Sequence, residues 1–350
     1  MRADRGFHES PLAPPEIDFE AAAGAQAGHR SFAPRLGEGR QEVEFWYLLT
    51  RRFDFFCAPV SVNRNAFLKD AALVALARMF RVPTVLYAQG NNLPDFCDKS
   101  APWVRRVIDR TFTRAAGAIV LGERLRFNVE KWLPPERIFV VPTGIEPGEQ
   151  APKVARSSDC VTVLYLGNMV REKGVFVLLE AARQIAARRA DIHFIFAGAW
   201  YQATDEEKFH QFIAQHSLQK CVEFVGPVQG EDKRRRLAEP DLLAFPTSYY
   251  YETMGLVLLE AMEAGLPVVT TRRASIPEII QDGVNGLLVE EQDTSDLAEK
   301  ILHLANDPSL REQIGCINQE RFVSYYTHEH YGRRMGEAFE ELARRQVCDE

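Results

Sequence analysis

A chain of 350 residues, 46% of them hydrophobic, is long enough for about two domains, each with its own core. Its 42 Lys and Arg against 49 Asp and Glu leave a net charge of −7, which argues against nucleic acid as a partner. Six scattered cysteines with no Cys-x-x-Cys pair, no signal-peptide core and no run of 18 apolar residues predict a cytoplasmic protein with reduced thiols, working at most at the inner face of a membrane.

Residues 1–40 are rich in Ala, Gly, Pro and charge and show neither helical nor strand period, so a loose or disordered arm is expected. Regular structure is expected from about Gln41: a short helix over 44–49, a strand over 53–60, an amphipathic helix over 65–80 and a strand over 83–88. The loop Gln89-Gly90-Asn91-Asn92 follows. A helix over 102–114, a strand over 118–121, a helix over 123–132 and a strand over 137–141 complete the first half, 41–146. Strands alternating with helices predict a parallel sheet, here a short one. Residues 147–159, with Pro, Gly, Lys, Ser and Asp, read as a linker.

In the second half, 160–320, strands are expected over 161–166, 192–197, 222–225, 241–245, 268–270 and 286–289. Helices over 175–188, 206–215 and 231–237 alternate with them, which gives a doubly wound domain of about six parallel strands. Residues 321–350 are expected to form helices that pack back on the first half.

The loop after the strand at 241–245 carries the most informative pattern, Tyr251-Glu-Thr-Met-Gly-Leu-Val-Leu-Leu-Glu260. In an open α/β sheet, ligands bind at the carboxyl ends of strands. Glu252 and Glu260 stand eight positions apart, about 12 Å at helical rise and within about 80° of each other around the axis. Both can face one elongated ligand. Gly255 permits close backbone approach, and the N–H groups of the helix start suit an anion such as a diphosphate. A second phosphate position is the turn Gly167-Asn168-Met-Val-Arg-Glu-Lys173-Gly174, between a strand and a helix.

Charge runs carry less. Lys233-Arg-Arg-Arg236 reads as a solvated helix face. Residues 41–146 hold 15 Lys and Arg against 11 Asp and Glu, and Arg105, Arg106, Arg110 and Arg114 share a helix with Trp103, Val104, Val107 and Ile108. Such a helix can touch an anionic membrane or simply lie on a core. No Asp-x-Asp pair is present to hold a divalent metal, so neither a metal nor another cofactor is expected.

The Glu-x7-Glu pattern, with Ala-Met-Glu-Ala-Gly265-Leu-Pro-Val-Val behind it, resembles the donor site of retaining glycosyltransferases of family 4, which have the GT-B fold of two Rossmann-like domains. The resemblance places Glu252 by the donor sugar as the catalytic-side carboxylate and Glu260 on the ribose hydroxyls. Gly167, Asn168, Lys173, Thr253, Met254, Gly255 and Leu256 would complete the donor site, with Lys173 neutralising the leaving diphosphate. Gln89, Gly90 and Asn91 would lie on the acceptor side. Val141-Pro-Thr-Gly-Ile-Glu146 resembles the end of the family's N-terminal domain, and Ser275-Ile-Pro-Glu278 a stretch shared across these enzymes, for which turn chemistry outweighs a direct ligand role for Glu278.

The resemblance implies a retaining transferase that moves a sugar from a UDP-, GDP- or ADP-linked donor to a glycan, lipid-linked or small-molecule acceptor. Three departures from the family pattern support the alternative of a catalytically impaired or non-catalytic homologue. Asn168 stands where the family has Arg, Gln89 where it has His, and no strand with a Gly-rich turn opens the chain, so the N-terminal domain reads as truncated. Gln can bond a hydroxyl but cannot act as acid or base. No His lies between His29 and His193, so no neighbouring His is expected to substitute.

Overall fold

The computed structural model describes residues 31–32, 54–148 and 160–349. The helix expected over 44–49, most of the arm over 1–40 and the linker from 149 onward lie outside the described residues. Two parallel sheets organise the rest. The first runs in the order β1 (Ser31–Phe32), β2 (Phe55–Pro59), β3 (Thr84–Ala88), β4 (Gly117–Val120), β5 (Ile138–Val140). The second contains β6 (Val161–Leu166), β7 (Ile192–Ala197), β8 (Val222–Gly226), β9 (Leu242–Phe245), β10 (Val268–Thr271) and β11 (Leu287–Val289), in the order β11-β10-β9-β6-β7-β8.

Every residue of β3, β4, β9 and β10 is buried, which is why these strands read as largely apolar runs, with threonine the one polar residue type among them. Helices cover both faces of a parallel sheet, so no strand face is left to be polar. In the first domain the helices are α1 (Arg64–Met79), α2 (Leu93–Lys99) and α3 (Pro102–Phe112). In the second they are α4 (Val175–Ala186), α5 (Ala203–Gln215), α6 (Gly230–Ala238), α7 (Leu256–Glu263), α8 (Ile276–Ile279), α9 (Thr294–Asn306) and α10 (Pro308–Arg321). Side chains cap several of them. Asn63 accepts from the Asn65 N–H ahead of α1, and Asp293 from Ser295 and Asp296 ahead of α9.

Three expectations are corrected. Ser31 and Phe32 pair in register with Phe55 and Phe56, so regular structure starts before Gln41; a two-residue strand is too short to show a period. Helix α2 lies within a segment that contains Pro94, a helix breaker in most positions but tolerated in the first turn, where it stands. The helix expected over 123–132 is a 3₁₀ turn over Glu123–Asn128. There the fully buried Asn128 side chain bonds the Leu93 N–H and the carbonyls of Gly90 and Leu125, which draws the turn onto the neighbouring loop.

The final helix, α11 (His328–Asp349), crosses back to the first domain. Phe339 packs on Phe55 with ring centroids 5.5 Å apart, and the hydroxyls of Tyr331 and Tyr87 meet at 3.1 Å. The two crossing segments touch where the Ile145 N–H donates to Tyr326 O at 3.0 Å and the His328 N–H to Ile145 O at 2.9 Å.

Candidate active site

The carboxyl ends of the two sheets face each other across a cleft of about 630 Å³. Its second-domain wall is built by the chain leaving β9. Strand pairing fixes Phe245 against β10, where the Thr270 hydroxyl donates to Phe245 O at 2.7 Å. The loop then turns at Gly255, whose φ of +69° suits glycine, and enters α7. Glu252, Thr253, Met254, Gly255, Leu256 and Glu260 all line the cleft, with Glu263 one turn further on.

Each of the two motif carboxylates has a lysine. Glu252 Oε2 lies 3.4 Å from Lys173 Nζ, and both side chains are largely withdrawn from solvent. Glu260 Oε1 accepts from Lys233 Nζ at 2.6 Å. Lys173 also lies over the rings of Tyr249 and Phe245, at 5.2 and 5.8 Å from their centroids. Burial pushes the Tyr249 hydroxyl up, as it does Tyr165 beneath Glu252, so both phenols stay neutral beside the carboxylate. The Glu263 carboxyl is raised by burial and by Glu260, against the pull of the Gly148 N–H that it accepts at 2.5 Å.

The first-domain wall presents Gln89 and Leu121, and the crossing segments present Thr143, Glu146, His328 and Tyr331. Of the residues expected on the acceptor side, Gln89 faces the cleft. Gly90 and Asn91 sit behind it: the Asn91 amide donates to Glu252 O at 2.8 Å, and Gly90 O accepts from Asn128. Asn91 therefore ties the acceptor-side loop to the backbone of the donor loop.

Of the turn after β6, Gly167, Asn168 and Lys173 stand outside the cleft lining, and Lys173 reaches the site through Glu252. The Asn168 side chain is exposed, and its carbonyl accepts from the Tyr165 hydroxyl at 3.0 Å. Glu278 bonds the N–H groups of Glu123 and Arg124, each at 2.8 Å, so it joins the two domains.

Residues 148–321 match the family described as Glycosyl transferases group 1. The second domain belongs to that family. Among curated relatives, the chain is 29% identical over 229 residues to an alpha-D-kanosaminyltransferase of Streptomyces kanamyceticus, covering 62% of this chain and 57% of the relative. It is 25% identical over 268 residues to a D-inositol 3-phosphate glycosyltransferase of Corynebacterium kroppenstedtii, covering 71% of this chain and 58% of that one. The chain thus spans little more than half the length of these two relatives.

Among solved structures, Anabaena HepE in complex with UDP superposes with a TM-score of 0.71 at 19% identity, over 85% of this chain and 81% of that one. TarM superposes with a TM-score of 0.67 at 23% identity, over 85% of this chain and 57% of that one. The two-domain architecture is the GT-B fold.

Three residues of the cleft escape sequence reasoning. Lys233, expected on a solvated face, is half-buried against Glu260, and Arg234, though exposed, lines the same wall; Arg235 keeps the expected exposure and pairs with Asp232. A charge run does not show which of its members turn inward, because that depends on where the neighbouring α7 is placed. His328 corrects the expectation that no His could neighbour Gln89. It arrives with α11, and its Nδ1 meets Glu146 Oε2 at 3.2 Å. Among the described residues, no group of three His, Cys, Asp or Glu is placed to hold a metal.

Proposed function

We propose that this protein is a retaining glycosyltransferase that takes a hexosyl group from a nucleotide sugar bound in the interdomain cleft. The observation that carries the proposal is the convergence of Glu252 and Glu260 on one cleft at the start of α7, each with a lysine beside it. Glu260 would hold the ribose and Glu252 would orient the sugar. Lys173 and the first N–H groups of α7 would stabilise the departing diphosphate, since fixed donors aimed at developing charge are the strongest form of such help. The bond from the anomeric carbon to the diphosphate breaks and one to the acceptor oxygen forms on the same face. Gln89 cannot take the acceptor's proton, which passes to the departing diphosphate oxygen.

The acceptor would enter past Gln89 and Tyr331. The relatives named as glycosyltransferases and the UDP complex of HepE make uridine diphosphate sugars the first donors to test, ahead of GDP- and ADP-linked ones. Action on the cytoplasmic side of a membrane, without metal or other cofactor, belongs to the same proposal.

A second reading keeps nucleotide-sugar binding and drops transfer. The neutral Gln89 on the cleft wall and the uncharged Asn168 beside Lys173 favour it. Thermal unfolding of the full chain with UDP, GDP, ADP and their sugars, followed by transfer assays, separates the readings. One base should stabilise the chain by about 2.7 kcal/mol at 100 times its dissociation constant, and Glu260→Ala should abolish that gain. Glu252→Ala should keep nucleotide binding and lower turnover about 100-fold or more. Binding without turnover by the unaltered chain supports the second reading, and stabilisation by none of the nucleotides removes both.

A further inference from the structure

We propose that the first domain carries a second binding site, for a phosphate-type oxyanion, at the edge of its sheet opposite the cleft. The amino ends of β3 and β4 border a pocket of about 230 Å³ there, onto which Arg78, Arg114, Arg137 and Arg345 converge. They come from four separate segments: the last turn of α1, the turn after α3, the turn before β5, and α11. Helix packing alone does not require four guanidinium groups to meet. Their planar donor forks match the oxygens of a phosphate; Arg137 has a partner of its own and Arg345 has Glu341, whereas Arg78 rests on two backbone carbonyls, so the positive charge of Arg78 and Arg114 is what an anion would answer.

The individual contacts define the site. Arg78 is fixed by donating to Thr111 O at 2.6 Å and Arg110 O at 3.4 Å, and burial lowers its pKa, with Arg114 and Arg110 adding to the effect. Arg345 shares its Nε with Glu341 at 2.7 Å. Arg114 is exposed and forms no ion pair among the described residues. On the pocket floor Thr84 is 1% exposed, and its hydroxyl has no hydrogen-bond partner. A buried hydroxyl costs free energy unless bonded, and an oxyanion held by the arginines would supply the acceptor.

Two sources offer this chemistry, a soluble phosphate compound and a phospholipid headgroup. Met79 and Phe80, next to Arg78, are 69% and 37% exposed, so an apolar edge lies beside the cationic pocket. That combination suits a bilayer surface as well as a free anion.

The test uses the full chain with inorganic phosphate as the calorimetric probe, and vesicles of phosphatidylcholine with or without phosphatidylglycerol for sedimentation. Arg114→Glu is chosen because its exposed position leaves folding intact, and Thr84→Val because it keeps the shape of the floor. Each should weaken phosphate binding about tenfold or more, the loss of one charge-assisted contact. Lys173→Ala, on the donor side, should leave that binding in place. Loss of vesicle binding in Arg114→Glu would assign the anion to a headgroup, and vesicle indifference with lost phosphate binding would assign it to a soluble compound. Phosphate binding that Lys173→Ala removes and Arg114→Glu spares, or no binding of either probe, would overturn the site.

Discussion

Glu263 shows how the cleft sets the protonation of a single side chain. Burial holds its carboxyl above the ordinary 4.5, Glu260 adds to the rise, and the Gly148 N–H opposes it without prevailing. A carboxyl whose pKa is higher folded than unfolded contributes stability that is complete below the unfolded value and is lost as pH rises through the folded one. The chain should therefore lose thermal stability relative to Glu263→Gln as pH rises from 4.5 through the region just above it. The glutamine still offers an oxygen to Gly148, so the hydrogen bond survives the substitution. Unfolding midpoints of both proteins from pH 4 to pH 7 check this, and parallel curves would mean that Glu263 is as solvated when folded as when unfolded.

The same contrast between near and distant partners explains what the sequence could show of the site. Glu252, Gly255 and Glu260 lie on nine consecutive positions, so the pattern is local and readable. Glu252 nevertheless stands on the loop ahead of α7 and only Glu260 on the helix, so helical spacing does not set their geometry. Lys233 reaches Glu260 from 27 positions away, and Tyr331 reaches Tyr87 from 244 away. Those pairings depend on which helices the fold places side by side, and local period carries no record of it. His328 is the clearest instance, a ring delivered to the cleft wall by the last helix of the chain.

At the scale of elements, the turn between β6 and α4 depends on Gly174. Its φ of +86° lies in the left-handed region, and a Cβ there would stand 2.2 Å from Pro246 O, a backbone atom of the loop that leads to Glu252. Neither strain nor contact can relax by a side-chain rotation. Gly174→Ala should lower the stability of the second domain by about 3 kcal/mol or more, combining the left-handed penalty with a forced backbone shift. It should also weaken nucleotide binding, because the displaced loop carries the donor site. Urea denaturation with a nucleotide titration checks both, and an unchanged midpoint would show that the two loops do not press on each other.

The elements themselves were legible in proportion to their regularity. The six strands of the second domain occur where apolar runs predict them, within a residue or two, because a sheet covered on both faces demands such runs. Irregular connections were not legible. Helix α2 and the 3₁₀ turn at Glu123–Asn128 depend on Asn128, whose side chain closes one on the other, a tertiary interaction that overrides local propensity.

For the whole molecule, the decisive relation is that between the two domains, and few contacts cross the mouth of the cleft to hold it. Glu278 accepts from Glu123 and Arg124, the Asn91 amide donates to Glu252 O, and the Tyr250 hydroxyl meets Asp95. The backbone beneath Glu278 is close-packed as well: a Cβ on Gly122 would fall 2.1 Å from the Ser275 hydroxyl. If the donor binds the closed arrangement better than an open one, its apparent affinity is set partly by the fraction of molecules already closed. Glu278→Ala removes two charge-assisted hydrogen bonds from the closed form while touching neither Glu252 nor Glu260. A loss of about 1 kcal/mol in the closed form should raise the nucleotide dissociation constant up to about fivefold and increase the radius of gyration in solution scattering. Glu278→Gln keeps one acceptor oxygen and should fall between the two. Unchanged scattering and affinity in Glu278→Ala would mean that α11 and the Ile145 crossing hold the domains together unaided, and that Glu278 serves only the turn it caps.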